Sequence, residues 1–214
     1  DTYSGRDKPH HIAAWTNGAL YVGMVKLASL TKSKKYYEWL KNIGEQQNWK
    51  LHYRKYHADD HVVGQMYVEL FRKYGDSAMI EKAIKGLDYI IENPSKEPIT
   101  LDDYKHLERW TWCDALFMSP PVWAKLYNIT GEEKYLSFMM AEYKATTEFL
   151  FDKEEHLYYR DENFIGKQDN GTKIFWSQTY DLPSNFLFLT KLSILRSLNN
   201  SSILLKLSGD ERTV

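Results

Sequence analysis

The sequence predicts an all-α fold built from repeated helix hairpins. Helical periodicity runs through most of the 214 residues. Three polar turns recur between apolar segments, LTKSKKYYEWL (30–40), YGDSAMIEKAI (74–84) and ITGEEKYLSFM (129–139). Tyr36, Ile80 and Tyr135 hold equivalent places in them, 44 and 55 residues apart. A helix-hairpin period of that size belongs to a solenoid or a closed toroid.

Residues 12–30 predict a first helix, with Leu20, Met24, Leu27 and Ala28 on one face. Residues 34–47 follow the turn Thr31-Lys32-Ser33. A third helix, 59–74, opens on acidic residues, which a helix N-terminus favours. Gly75-Asp76 breaks it, 77–92 forms a fourth, and Asn93-Pro94 ends that one. Residues 113–128 and 132–150 make a fifth and a sixth, split by Gly131. Residues 156–176 alternate in polarity and carry Asp169-Asn170-Gly171, so a small β-hairpin is expected there. Residues 183–208 are rich in Leu, Ser and Asn, lack Trp, and read as one or two further helices.

Composition narrows the function. Lys and Arg total 28 against 29 Asp and Glu, a net charge of −1, without the basic excess of a nucleic-acid or membrane-surface protein. No run approaches the roughly 20 apolar residues that cross a bilayer. Cys113 is the single cysteine, which excludes an intrachain disulfide and a cysteine-based zinc site. Seven Trp, 16 Tyr and nine Phe make 15% of the chain. Besides core packing, such rings suit a cleft that stacks sugars on flat apolar faces.

Four clusters carry candidate chemistry. Trp15-Thr16-Asn17-Gly18 opens the first helix, as cap and core or facing a cavity mouth. His57-Ala58-Asp59-Asp60-His61 opens the third. One carboxylate there caps the helix, and the second is open to catalysis. Two His four residues apart also fit a divalent metal, but no third strong ligand stands near in sequence, and no metal is expected. In Arg109-Trp110-Thr111-Trp112-Cys113-Asp114-Ala115-Leu116-Phe117-Met118, a lone Asp sits among apolar groups. Burial raises a carboxyl pKa and keeps a proton available for general acid work, and Asp114 can cap the fifth helix at the same time. Phe175-Trp176 closes the hairpin region and reads as packing.

HADDHVVGQMYVELF (57–71), RWTWCDALFMSPPVWAKLY (109–127), WTNGALYVG (15–23) and DKEEHLYYRD (152–161) resemble glycoside hydrolase family 105. Those enzymes are unsaturated rhamnogalacturonyl hydrolases, relatives of the family 88 unsaturated glucuronyl hydrolases. The similarity runs from about residue 9 to Ser177. It implies an (α/α)6 toroid with the active cleft at one end. It implies hydrolysis of the 4,5-unsaturated uronic acid that a lyase leaves on pectin or rhamnogalacturonan oligosaccharides. Asp114 matches the general acid/base, and Asp60 or its neighbour Asp59 matches the assisting aspartate. Trp112 and Trp15 match aromatic cleft positions, and Asn17, His61, Arg109 and Trp176 are expected substrate contacts with Asp59. The implied reaction is hydration of a vinyl ether. The acid protonates C4, a cation builds at C5, water adds there, and the hemiketal opens and expels the sugar. This differs from displacement at C1 by two carboxylates. No metal or organic cofactor is implied.

The resemblance stops where the family continues FWS with Arg-Gly-Asn-Gly-Trp and this chain continues Gln178-Thr179-Tyr180-Asp181-Leu182. The length holds four hairpins at most. The expected organisation is therefore a partial toroid over 1–177 and an atypical tail over 178–214, with weak activity because the Arg and Trp after FWS are missing. A runner-up is a non-catalytic carbohydrate-binding or assembly module derived from such an enzyme. The expected partner is an oligosaccharide, with no nucleic acid and no membrane. Homo-oligomers would follow from an incomplete toroid. The first residue is Asp1, not Met, so a periplasmic or secreted protein with its leader removed is expected, while one cysteine also allows the cytoplasm.

Overall fold

In the computed structural model, residues 10–100 and 107–176 are described, and within them three helix hairpins follow one another. The first is α1 (Trp15–Thr31) with α2 (Lys34–Gln46). A short α3 (Ala58–His61) leads into α4 (Val63–Tyr74), which pairs with α5 (Ala78–Glu92). A short α6 (Ala115–Met118) leads into α7 (Pro120–Thr130), which pairs with α8 (Glu133–Leu150). Helices α1, α4 and α7 stand side by side, each backed by the second helix of its hairpin. The tail expected over 178–214 lies outside the described residues.

The three turns share one device. Helices α1, α4 and α7 all end on a left-handed residue, Lys32 (φ 54°), Gly75 (φ 73°) and Gly131 (φ 73°). In each, the cap N–H returns to a carbonyl of the last turn, Ala28, Phe71 or Tyr127. Glycine takes that conformation without a Cβ penalty. The second helix of the first hairpin is then capped by Ser33, whose hydroxyl accepts from the Tyr36 N–H.

Two expected helices are divided. The third breaks at Val62 into α3 and α4, and the fifth breaks at Ser119, where Pro120 and Pro121 start α7. Proline lacks a backbone N–H, so it begins a helix more readily than it continues one. Each break frees a one-turn helix at the head of the longer helix behind it.

The buried face of α1 also differs from expectation. Gly18, Tyr21, Val25 and Ala28 face inward, while Leu20 and Leu27 are 53% and 40% exposed. This helix is apolar on every side, so periodicity does not select a face. Gly18 does: a Cβ there would stand 2.3 Å from Val62 Cγ1, so this edge alone lets α1 close onto the α3–α4 junction.

The core runs between the two rows of helices, around Met66, Tyr67, Leu70, Trp110, Trp123 and Tyr135, all under 2% exposed. Burial of each such side chain contributes about 1.5–3 kcal/mol. Trp123 lies 4.3 Å from the Phe138 ring, joining α7 to α8. On the outer row, the Tyr135 hydroxyl donates to Asp88 Oδ1 at 2.8 Å, joining the second hairpin to the third.

The β-excursion holds two hairpins instead of one. β1 (Phe151–Asp152) pairs with β2 (Leu157–Tyr158), and β3 (Gln168–Asp169) pairs with β4 (Thr172–Lys173). The second turns through Asn170 and Gly171, both with positive φ, as the Asn-Gly pair predicts. Between the hairpins, residues 159–161 run back to the segment before α6. Cys113 N–H donates to Arg160 O, and Arg160 N–H donates to Phe175 O, each at 2.8 Å. Trp112 and Asp161 form an isolated antiparallel bridge. The excursion thereby carries Arg160 to the neighbourhood of Asp114.

Candidate active site

Helices α3 and α6 pack against each other at the heads of α4 and α7. Their first turns bring residues 57–61 next to residues 112–114. His57 caps α3 by accepting the Asp59 N–H on Nδ1, at 3.3 Å, and its ring lies 4.8 Å from that of Trp112. Asp114 stands at the cap position of α6 without spending its side chain on the cap.

The packing of α3 on α6 brings Asp59 within electrostatic reach of Asp114. Burial, then the charge of Asp114, push the Asp59 carboxyl up to about 7, against the Trp112 indole N–H, which favours the ionised form. Asp59 Oδ1 is buried and without a hydrogen-bond partner. Burial also pushes Asp114 up to about 6, and the nearby Arg160 guanidinium opposes that rise. Arg160 is itself held by Asp161, Nε to Oδ2 at 2.7 Å. Two carboxyls near neutrality, one with an unused oxygen, can hold and pass a single proton.

Asp60 is turned the other way, because successive helical residues point about 100° apart. It is wholly buried. One carboxylate oxygen accepts the Arg54 backbone N–H at 2.8 Å, and the other accepts Nε at 3.1 Å and Nη2 at 2.5 Å. The assisting aspartate was expected at Asp60 or Asp59, and Asp60 anchors the loop that enters α3.

The profile of Glycosyl Hydrolase Family 88 matches residues 2–180. The chain belongs to glycosyl hydrolase family 88. It is 31% identical over 188 residues to an unsaturated 3S-rhamnoglycuronyl hydrolase of Alteromonas species strain LOR, covering 82% of this chain and 46% of that protein. It is similar to the solved family 88 glycosyl hydrolase of Bacteroides vulgatus, with a TM-score of 0.73 and 26% identity over 92% of this chain and 57% of the other. A solved protein described as a polysaccharide lyase gives a TM-score of 0.72 and 27% identity over 89% of this chain and 55% of its own. The chain thus spans about half the length of the relatives it matches.

In this family 88 chain, several expected substrate contacts have other work. His61 is 1% exposed, with Nε2 at 2.7 Å from the Lys55 carbonyl and Nδ1 at 2.6 Å from Ser119 Oγ. Burial lowers its pKa to about 4. Nε2 therefore carries the proton, Ser119 donates to Nδ1, and the Trp123 indole N–H donates to Ser119 Oγ at 2.9 Å. This relay ties α3 to α7. Ser119→Ala would strip a partner from both rings, and a loss of about 1–3 kcal/mol is expected in urea unfolding. A stability equal to wild type would contradict the relay.

Arg109 pairs with Glu142 of α8, Nε to Oε2 at 2.8 Å. Asn17 donates to the carbonyls of His10 and His11 at 3.3 and 3.0 Å. Trp112 is 9% exposed and its indole N–H donates to Asp59, Trp15 is 46% exposed at the start of α1, and Trp176 is half-buried against the core. Among the described residues, no group of three or more His, Cys, Asp or Glu is placed to hold a metal ion. Sequence reasoning missed Arg160 as a site residue. The cap of α3 is the His57 ring instead of the expected carboxylate, and Arg160 reaches Asp114 only through the backbone pairing of residues 160 and 113.

Proposed function

We propose that the chain hydrates the double bond of a 4,5-unsaturated uronic acid at the non-reducing end of a lyase-cut oligosaccharide, releasing the uronate from the sugar behind it. The observation that carries this reading is the carboxyl pair Asp59 and Asp114, on the scaffold of family 88. The curated relative's name, a hydrolase of unsaturated rhamnoglycuronyl groups, supports a uronate joined to rhamnose as the substrate class. The single proton that the pair holds near neutrality passes through Asp114 to C4. Positive charge builds at C5, beside the two carboxyl groups that can stabilise it. Asp114, now a carboxylate, takes a proton from the water that adds to C5. The hemiketal then opens and expels the sugar. Asp59 holds that proton between turnovers and orients the Asp114 carboxyl, a role we assign to it in place of Asp60. Lyase products form where enzyme meets polymer, which favours a periplasmic or secreted site of action. Among the described residues, no helix is long and apolar enough to cross a membrane.

The test is loss of the ultraviolet absorbance of the conjugated double bond when the chain meets lyase-cut oligosaccharides. No loss above background would remove the reading. The rate should fall as pH rises through about 7, where the pair gives up its last proton. A rate still climbing above about pH 8 would contradict carboxyl acid catalysis.

A further inference from the structure

The loop that enters α3 stacks aromatic rings outside the carboxyl pair. His11 and His52 lie nearly parallel, their centroids 4.6 Å apart and their planes 18° from coplanar. Tyr53 meets His52 edge-on at 4.7 Å. Tyr53 is 77% exposed, although a large ring ordinarily goes inside. Trp15, exposed at the start of α1, comes four residues after His11 in the chain. The row is held from both ends: Asn17 binds the His11 carbonyl, and His52 N–H donates to the Asp60 carbonyl at 3.1 Å.

Arg54 connects this row to the site. Its guanidinium stands 5.7 Å from the Tyr53 centroid and grips Asp60, and its charge reaches Asp59. Arg54 is therefore near one ring of the row and within electrostatic reach of Asp59. The row carries no aliphatic side chain, whereas the exposed leucines, Leu20, Leu27 and Leu30, lie further along α1. Rings with polar edges, interleaved with a cation, match the faces and hydroxyls of sugars better than the apolar centre of a protein interface.

We propose that Tyr53, His52 and His11, with Trp15 at the rim, form a stacking subsite for the third sugar and beyond, counted from the unsaturated end. This rests on the reading that the uronate sits at Asp59 and Asp114. The first sugar then occupies the carboxyl pair, the second passes Arg54, and the third lies on Tyr53. The enzyme would thereby prefer longer oligosaccharides to disaccharides.

Calorimetric titration of the full chain tests this with a disaccharide and a tetrasaccharide of alternating uronate and rhamnose. The tetrasaccharide is used both unsaturated and saturated at its end. Tyr53→Ala should weaken tetrasaccharide binding roughly 3–10-fold, the range of one aromatic contact, and leave the disaccharide unchanged. Tyr53→Trp should restore it. Equal affinity of wild type and Tyr53→Ala for the tetrasaccharides would overturn the subsite, as would equal weakening for both lengths. Loss of a larger species in sedimentation with unchanged sugar affinity would also overturn it, marking a protein contact instead. If wild type fails to hydrate the unsaturated ends but still binds the saturated tetrasaccharide through Tyr53, the proposed reaction falls and the subsite stands.

Discussion

Asp114→Asn should lower the hydration rate by roughly 10²–10⁴-fold, the range of a removed general acid. The amide matches the carboxyl in size and carries no transferable proton. Asp114 makes no side-chain cap bond to α6 and its buried carboxyl is raised, so helix content should be retained and melting temperature should not fall. Loss of rate with retained stability separates chemistry from folding. A variant with wild-type turnover would take the acid role from Asp114. Arg160→Gln offers a finer measure: without the guanidinium, Asp114 should hold its proton to higher pH, and the descending limb of the rate profile should move up.

The second large effect concerns stability and divides the adjacent aspartates. Arg54→Ala should destabilise the fold by about 3–5 kcal/mol, because it leaves the Asp60 carboxylate buried with only a backbone N–H. For a chain of this size that is a fall in melting temperature of roughly 6–20 °C. Arg54→Lys should recover only part, since an ammonium does not reproduce the fork that meets Asp60. Asp59→Asn should behave oppositely. The Asp59 carboxyl ionises near 7 when folded and from 3.8 when unfolded, so the folded state holds the extra proton between these values. Ionisation at Asp59 therefore costs stability progressively as pH rises through that window, and the amide escapes the cost. Relative to wild type, Asp59→Asn should gain about 1–3 kcal/mol between pH 5 and pH 8 in urea titrations. No change with pH in that difference would remove the raised carboxyl.

These two residues also mark how far the sequence could be read. The hairpin repeat was legible because Gly75 and Gly131 punctuate it and Ser33 caps α2, all local signals. The Asn170-Gly171 turn was legible for the same reason. The inward face of α1 was not, since apolar residues surround that helix and only contact with Val62 through Gly18 selects a side. The DD pair announced a carboxyl site without saying which aspartate served it. That choice depends on Arg54, six residues upstream, folding back through the loop to claim Asp60. Arg160 lay beyond local reading, because its place depends on a backbone pairing across 47 residues, from 113 to 160.

Cys113 gives this arrangement a clock. It is the only thiol in the chain, 3% exposed, immediately before Asp114, and burial holds its pKa well above the usual thiol range. Its backbone N–H is tied to the strand that carries Arg160. A thiol reagent can reach it only when that strand parts from residues 112–113, so labelling proceeds at the frequency of local opening. The native chain should react slowly, and the unfolded chain at once. A bound oligosaccharide that bridges Asp114 and Arg160 should slow the reaction further, letting one colorimetric trace time the breathing of the catalytic floor without an added label.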